Sequence, residues 1–151
     1  NIALLTVTDT RTIDNDKSGA ILVEKIKEAN HQLIDRKICK DNKADIVKIL
    51  KDWTNHKDID VIITTGGTGF TERDLTPEGT RQVLERSAPG IAEAMRLTNP
   101  LGRLSRGVAG IVGKSIILNT PGSTAGCVEC FEAVADVIPH ALRLLHGERL
   151  H

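Results

Sequence analysis

Residues 66–78 read GGTGFTERDLTPE and follow directly on a short apolar run. Gly66, Gly67 and Gly69 let the main chain come close to a ligand, and with Thr68 between them their N–H groups can cradle phosphate oxygens without formal positive charge. A purely structural Gly-rich turn is the competing interpretation. The stretch fits neither the dinucleotide fingerprint G-x-G-x-x-G nor the P-loop G-x-x-x-x-G-K-[ST], so a nicotinamide enzyme or a P-loop NTPase has no support. Asp74 inside this stretch, and Asp41 after an earlier apolar segment, are carboxylates. Beside phosphate they make sense when a hard divalent cation cancels the repulsion, and Mg2+ is typically held by one or two carboxylates plus phosphate oxygens. The alternatives are local: Asp41 caps the helix that follows it, and Asp74 stabilises a turn.

Ser105 and Arg106 put a hydroxyl beside a guanidinium, a pair suited to phosphate or carboxylate, although an exposed, unengaged Arg is the commoner outcome for such a residue. Pro121, Gly122 and Ser123 stand between a strand-like and a helix-like segment. Their amides and the helix N-terminus form either a second anion site or a plain turn and cap. Asp9, after the first apolar run, is a polar contact on the same edge or a solvated loop acid. The five histidines (His31, His56, His140, His146, His151) are scattered without a Ser or Cys partner, which leaves triad chemistry unsupported. Cys127 and Cys130 form a lone C-x-x-C at helical spacing, and without further ligands this predicts packing rather than zinc or redox work.

These residues need a scaffold, and alternating strand and helix signals supply one. Residues 2–7 predict a buried strand, and Leu22, Ile26 and Ala29 repeat at helical spacing up to a stop at Asn30. Residues 33–39 predict a second strand. Ile46, Ile49, Leu50 and Trp53 form the apolar stripe of a second helix, with Trp53 in the core. Residues 61–65 are a third strand leading into the glycines. Thr76 is expected as N-cap of a third helix, with Pro77 at its first position and Glu78 in its first turn. After the Pro89-Gly90 break, Ile91, Ala94, Met95 and Thr98 share a face. Residues 108–112 and 115–119 predict a hairpin about Gly113-Lys114, and a long helical pattern interrupted at Pro139 ends the chain. The expected architecture is a single three-layer α/β/α domain over residues 1–151, its sheet mostly parallel with one antiparallel edge strand. Ligands of such sheets bind beyond the carboxyl ends of the strands.

Composition narrows the function. With 151 residues the chain can bury roughly 70% of its unfolded surface and needs no disulfide or structural metal. Twenty basic residues balance twenty acidic ones, which argues against nucleic acid as a partner, and 2% aromatic content leaves nothing for base stacking. No apolar run approaches the roughly 20 residues that span a bilayer, and no signal-peptide pattern precedes the first strand. A soluble, cytoplasmic protein with no membrane partner is expected.

The chain resembles the molybdenum cofactor biosynthesis family that includes the bacterial MoaB and Mog proteins, the plant molybdopterin adenylyltransferase domain and the G domain of gephyrin. The resemblance covers essentially the whole chain. It is carried by Thr8-Asp9-Thr10-Arg11, Asp16-Lys17-Ser18-Gly19, Thr64-Thr65-Gly66-Gly67-Thr68-Gly69 with Arg73-Asp74, and Thr76-Pro77-Glu78. Leu104-Ser105-Arg106, Val108-Ala109-Gly110, Asn119 with Pro121-Gly122-Ser123, and Glu129-Cys130 follow in order. The resemblance implies a molybdopterin-binding fold that assembles as a homotrimer or a dimer of trimers, with other proteins of cofactor biosynthesis as partners. It also implies transfer of AMP from Mg-ATP to the terminal phosphate of molybdopterin, releasing pyrophosphate. Asp41 and Asp74 align with the family's two catalytic acids and would hold Mg2+, directly or indirectly. The binding residues it implies are Asp9, Gly66 to Gly69, Arg73, Thr76, Pro77, Glu78, Ser105, Arg106, Pro121, Gly122, Ser123 and Glu129. Two departures stand out. Lys40 replaces a frequent Pro, which together with the TDTRT stretch points to the MoaB branch, and Gly79 and Gly107 occupy positions usually held by less flexible residues. The alternative within that branch is a non-catalytic molybdopterin-binding or assembly protein; retention of both acids favours the enzyme.

Overall fold

Three strands, β1 (Ile2–Val7), β3 (Val61–Thr65) and β6 (Ser115–Thr120), are buried along their whole length. That is the behaviour of central strands covered on both faces. The computed structural model describes residues 1–147 and joins these strands into one six-stranded sheet of order β2-β1-β3-β6-β5-β4. β1 pairs in parallel with β2 (Leu33–Cys39) and with β3, and β3 with β6. The antiparallel part lies at the far edge, where β5 (Ala109–Val112) runs against β6 and the two-residue β4 (Arg86–Ser87) runs against β5. Gly113 turns the β5–β6 hairpin at φ +57°, a left-handed conformation that suits glycine.

Alternation along the strands sorts the core into two layers. Ile2, Leu4, Val61, Ile63, Ile116 and Leu118 face α1 (Lys17–Glu28), α4 (Pro89–Arg96), α5 (Thr124–Val134) and α6 (Ile138–Leu145). Ala3, Leu5, Val7, Ile62 and Ile117 face α2 (Lys43–Thr54) and α3 (Thr76–Val83). Trp53 sits in the second layer and donates its indole N–H to Asp35 Oδ2 at 3.1 Å, so its one polar atom is satisfied. Cys127 and Cys130 are buried in the first layer. Burial pushes the Cys127 thiol up to about 11 and that of Cys130 upward as well, so both stay protonated packing groups. Ala29 caps α1 and Asn30 leaves it at φ 63°, the stop the sequence predicts.

Three details differ from expectation. Leu75, rather than Thr76, is the cap of α3, because the Thr76 N–H donates to Gly67 O at 3.1 Å and draws Thr76 into the helix, leaving Pro77 in the first turn. Thr98 lies beyond the end of α4, where its hydroxyl donates to Met95 O at 2.9 Å; Ala92 takes its place on the buried face. The last helical pattern breaks at residues 135–137 rather than at Pro139, which sits in the first turn of α6 behind Ile138. Among the histidines, His56 accepts the Asp58 N–H and His146 lies 3.7 Å from Asp60, while His151 lies outside the described residues.

At their carboxyl ends the central strands exchange apolar for polar residues: Thr6, Thr64, Thr65, Asn119 and Thr120 are all buried. Asn119 Nδ2 donates to Thr64 Oγ1 at 2.9 Å and Thr80 Oγ1 at 3.0 Å, Thr65 Oγ1 to Pro121 O, and Thr120 Oγ1 to Thr64 O. Thr6 Oγ1 donates to Asp16 Oδ2 at 2.6 Å. The same carboxylate caps α1 through the Gly19 N–H at 3.0 Å and receives Arg36 Nη2 at 3.3 Å. The chain leaves β1 towards β2 on one side and returns to β3 on the other, so the gap between β1 and β3 is the topological switch point, where open α/β sheets bind ligands.

Candidate functional site

A cleft of about 310 Å3 opens at that switch point. Thr6 comes to it from β1, Thr8, Thr10 and Arg11 from the loop after it, Asp16 and Ser18 from the head of α1, and Asp41 from the turn after β2. Gly66, Gly67 and Asp74 come from the loop after β3, and Gly122 from the turn after β6. Gly66 and Gly67 adopt φ +99° and +70°. A side chain on Gly66 would collide with Val7 O, so glycine is required there both for conformation and for space. The Gly66 N–H is spent on Thr120 O, whereas those of Gly67, Thr68 and Gly69 donate to no described residue. Such free successive amides are what an anion cradle needs.

Three acids stand around this loop. Asp9 accepts the Asp41 N–H at 3.0 Å and pairs with Arg73 at 2.8 Å; these bonds, the Asp41 amide first, hold its carboxyl below the usual range. Asp41 moves the other way. Burial first, then the negative charges of Asp9 and Asp74, push its carboxyl above the ordinary value. The capping role left open for Asp41 belongs to Asn42, whose side chain accepts the Asp45 N–H at 3.1 Å. Asp74 does stabilise its own turn, since Oδ2 accepts Thr71 N at 3.0 Å and Thr71 Oγ1 at 2.9 Å, but Oδ1 receives no bond from a described residue.

These residues fit a divalent cation. Asp41 feels repulsion from Asp9 and Asp74 that the charge of Arg73 offsets only in part, and Oδ1 of Asp74 receives no bond from a described residue. Among the described residues no cluster of three His, Cys, Asp or Glu could hold a metal alone. Completion by phosphate oxygens is therefore the chemistry that this donor set supports.

Arg106 is not idle, and it does not point at the cleft. Its Nε donates to Gly69 O at 2.8 Å and its Nη2 to Asp74 O at 2.6 Å. Nη1 and Nη2 reach Glu78 Oε2 and Oε1 at 2.7 and 3.3 Å. Its own N–H donates to Thr68 O at 2.8 Å. One guanidinium thus ties the glycine loop, the Asp74 turn and the first turn of α3 together, and it holds the Glu78 carboxyl below its usual range.

The remaining expected residues are divided. Ser105, Pro121, Ser123 and Glu129 line a second cleft of about 300 Å3 between α4 and α5, with Met95, Arg96 and Asn119. The turn after β6 serves both clefts, Gly122 lining the first and its neighbours Pro121 and Ser123 the second, and a side chain on Gly122 would come within 3.3 Å of Gly66 Cα. Ser123 caps α5 through the Gly126 N–H at 3.1 Å. Thr76 and Pro77 are buried beneath the loop, and Arg73 stands at the rim. Residue-type reasoning passed over Arg11, Asp16 and Ser18 as ligand-side groups; the capping signal of Asp16 before α1 was the available clue. Ser18 Oγ donates to Gly122 O at 2.7 Å and so joins the head of α1 to the turn after β6.

Residues 3–140 match the family described as "Probable molybdopterin binding domain". The chain is 42% identical to the molybdenum cofactor synthesis protein cinnamon of Drosophila melanogaster, over 94% of this chain and 25% of that one; it thus spans a quarter of that relative's length. It is 36% identical to the molybdopterin adenylyltransferase of Helicobacter pylori, covering 97% of this chain and 88% of that protein. The crystal structure of the molybdopterin biosynthesis enzyme MoaB from Thermus thermophilus superposes with a TM-score of 0.90 at 39% identity, covering 99% of this chain and 98% of that one. With the fold, the switch-point cleft and the sequence in agreement, this chain belongs to the molybdopterin-binding domain family of molybdenum cofactor biosynthesis.

Proposed function

We propose that this chain transfers AMP from Mg-ATP to the terminal phosphate of molybdopterin. The observation that carries this reading is the convergence of Asp41 and Asp74, with spare carboxylate oxygens, on a cleft lined by Gly67, the first of three successive residues, Gly67, Thr68 and Gly69, whose amides donate to no described residue. A phosphate oxygen of the pterin forms a bond to the α-phosphorus of ATP. The bond from that phosphorus to the α,β-bridging oxygen breaks, and pyrophosphate leaves with the electron pair. Both reactants are anions, so the catalyst's task is positioning and charge neutralisation. A bound Mg2+ supplies the neutralising charge.

The protein's own residues do the rest. Gly67 to Gly69 receive one phosphate-bearing ligand through their amides. Pro121, Gly122 and Ser123, with Ser105 and Glu129 lining the neighbouring cleft, receive the other, the turn after β6 contributing to both clefts. Asp9, held by Arg73, fixes the main chain of Asp41 and so aims its carboxylate. Arg106 and Glu78 keep the loop in shape, with Thr76 and Pro77 beneath it.

Assembly as a homotrimer or a dimer of trimers, a cytoplasmic location, and partners elsewhere in cofactor biosynthesis belong to the same reading. Leu97, Leu101 and Leu104, exposed by 78, 72 and 54%, provide apolar surface for a subunit contact. No helix among the described residues is long and apolar enough to cross a membrane. The test is incubation of the protein with molybdopterin and Mg-ATP, following adenylylated pterin and pyrophosphate. Asp74→Asn is expected to abolish transfer while leaving pterin affinity within a few-fold. Normal pterin binding by the wild type with no product would overturn the reading in favour of a non-catalytic binding protein.

A further inference from the structure

Two buried side-chain atoms among the described residues have no hydrogen-bond partner, Arg36 Nε and Thr76 Oγ1. Arg36 has another nitrogen on Asp16. Thr76 has no such outlet: it is fully buried, and the hydroxyl is the only polar atom of its side chain. Leaving a buried donor unpaired is costly, and a valine of the same shape would avoid the cost. Native folds hold few such groups, and functional sites are among the places that keep them.

The surroundings of this hydroxyl point to its use. The Thr76 N–H is tied to Gly67 O at 3.1 Å, which sets the first residue of α3 directly beneath the loop. A side chain on Gly67 would collide with Thr76 Oγ1 and would stand 3.3 Å from Asp41 Oδ1. The missing side chain of Gly67 therefore leaves a gap bordered on one side by a donor with nothing to bond and on the other by an acceptor. The Asp41 main chain is fixed by Asp9, and the side-chain partner of its carboxyl is another acid, Asp9, so it lacks a side-chain N–H or hydroxyl donor among the described residues.

We propose that Thr76 is a positioning residue for Asp41, its hydroxyl donating to Oδ1 across the gap at Gly67 when the cleft is filled. The bond fixes one carboxylate oxygen and leaves the other for the ligand. A bond absent from the free protein and present in the ligand-bound state is one whose energy goes to the bound state alone, which is how catalytic binding energy is used. This inference rests on the reading of Asp41 as the cation-side acid. It gives Thr76, which the family motif marks only as a binding residue, a defined donor role toward Asp41.

The test is Thr76→Val, with Thr76→Ser to restore the hydroxyl. The Val variant is expected to melt at the same or a higher temperature. Its kcat should fall roughly 10-fold or more, the loss expected for one hydrogen bond to a charged group, while KM for the pterin stays within a few-fold and Ser recovers most of the rate. Calorimetry gives a readout independent of turnover: the gain in ATP affinity on adding Mg2+ should shrink in the Val variant and return with Ser. An Asp41→Asn background completes the cycle, since Thr76→Val should add no further loss of Mg-ATP affinity there. If Val destabilises the fold, Thr76→Ala carries the same cycle. Independent, additive losses, or a Val variant that binds and turns over as the wild type does, would overturn the Thr76 role alone. No Mg-dependent ATP binding by the wild type would overturn the reading beneath it as well.

Discussion

Replacing Arg106 by alanine removes four hydrogen bonds at once: those to Gly69 O, Asp74 O and the two oxygens of Glu78. Side chains at both ends of the ion pair are about one-third exposed, so the Glu78 pair is worth less than about 1 kcal/mol after screening. The two carbonyls lose a charged donor, for which the usual range of about 1.5–3 kcal/mol each is an upper bound at a half-exposed site. Discounted for that exposure, a total of about 2–3 kcal/mol is expected, or about 6–9 °C in Tm for a chain of this length. The functional loss should be larger, because a displacement of about 1 Å in a phosphate-positioning loop costs roughly 100-fold in rate. Urea unfolding and the adenylyl-transfer assay measure the two effects separately. Lysine should not substitute, as one ammonium cannot bridge three separated acceptors.

The ion pair adds a pH signature to this experiment. Arg106 holds the Glu78 carboxyl below its ordinary 4.5, so the stabilisation is complete above that value and fades as pH falls through the lowered folded value. The stability gap between wild type and Arg106→Ala should therefore narrow only in acid. Unchanged unfolding of Arg106→Ala, with weakened affinity for a phosphate ligand as its sole defect, would refute the brace and restore Arg106 to a direct binding role.

Other expectations concern the acids nearby. Asp41→Asn should abolish transfer yet raise the melting temperature of the ligand-free protein at neutral pH, because burial and the charges of Asp9 and Asp74 disfavour the carboxylate. A raised carboxyl costs stability only above its folded value, so thermal melts from pH 4 to 8 should show the advantage of Asn shrinking as pH falls; an advantage growing in acid would contradict the assignment. Asp16→Ala strips the cap from α1, orphans the buried Thr6 hydroxyl and leaves Arg36 without its acid. That should cost about 3–5 kcal/mol in urea titration, and a loss under about 1 kcal/mol would show that the network is not what holds β1, β2 and α1 together.

β1 and β3 were legible because each is a short apolar run ending in polar or glycine residues, and β1, β2 and β3 begin and end at the expected residues. β4 was not, since two exposed residues carry no periodicity and form a strand only because β5 offers an edge. Thr76 fits the preference for a cap, but a bond to Gly67, nine residues earlier in the chain, decided otherwise. The same limit applies to the site. Residue type marked Asp41, Asp74 and the glycines, whereas the engagement of Arg106 with Glu78, 28 positions apart, and the sharing of the turn after β6 between two clefts depend on tertiary contacts that spacing does not encode.

The sheet's outer strand has one more consequence. β2 presents Asp35, Arg36 and Lys37 in its middle, and Lys37 lies 5.9 Å from the ring of Trp53. Another polypeptide zipping onto this rim would have to bring its backbone past three consecutive charges, which is how natural proteins discourage runaway strand addition. Fibre growth from this margin is thereby opposed, and copies of the molecule can crowd together around a shared task without fusing their sheets.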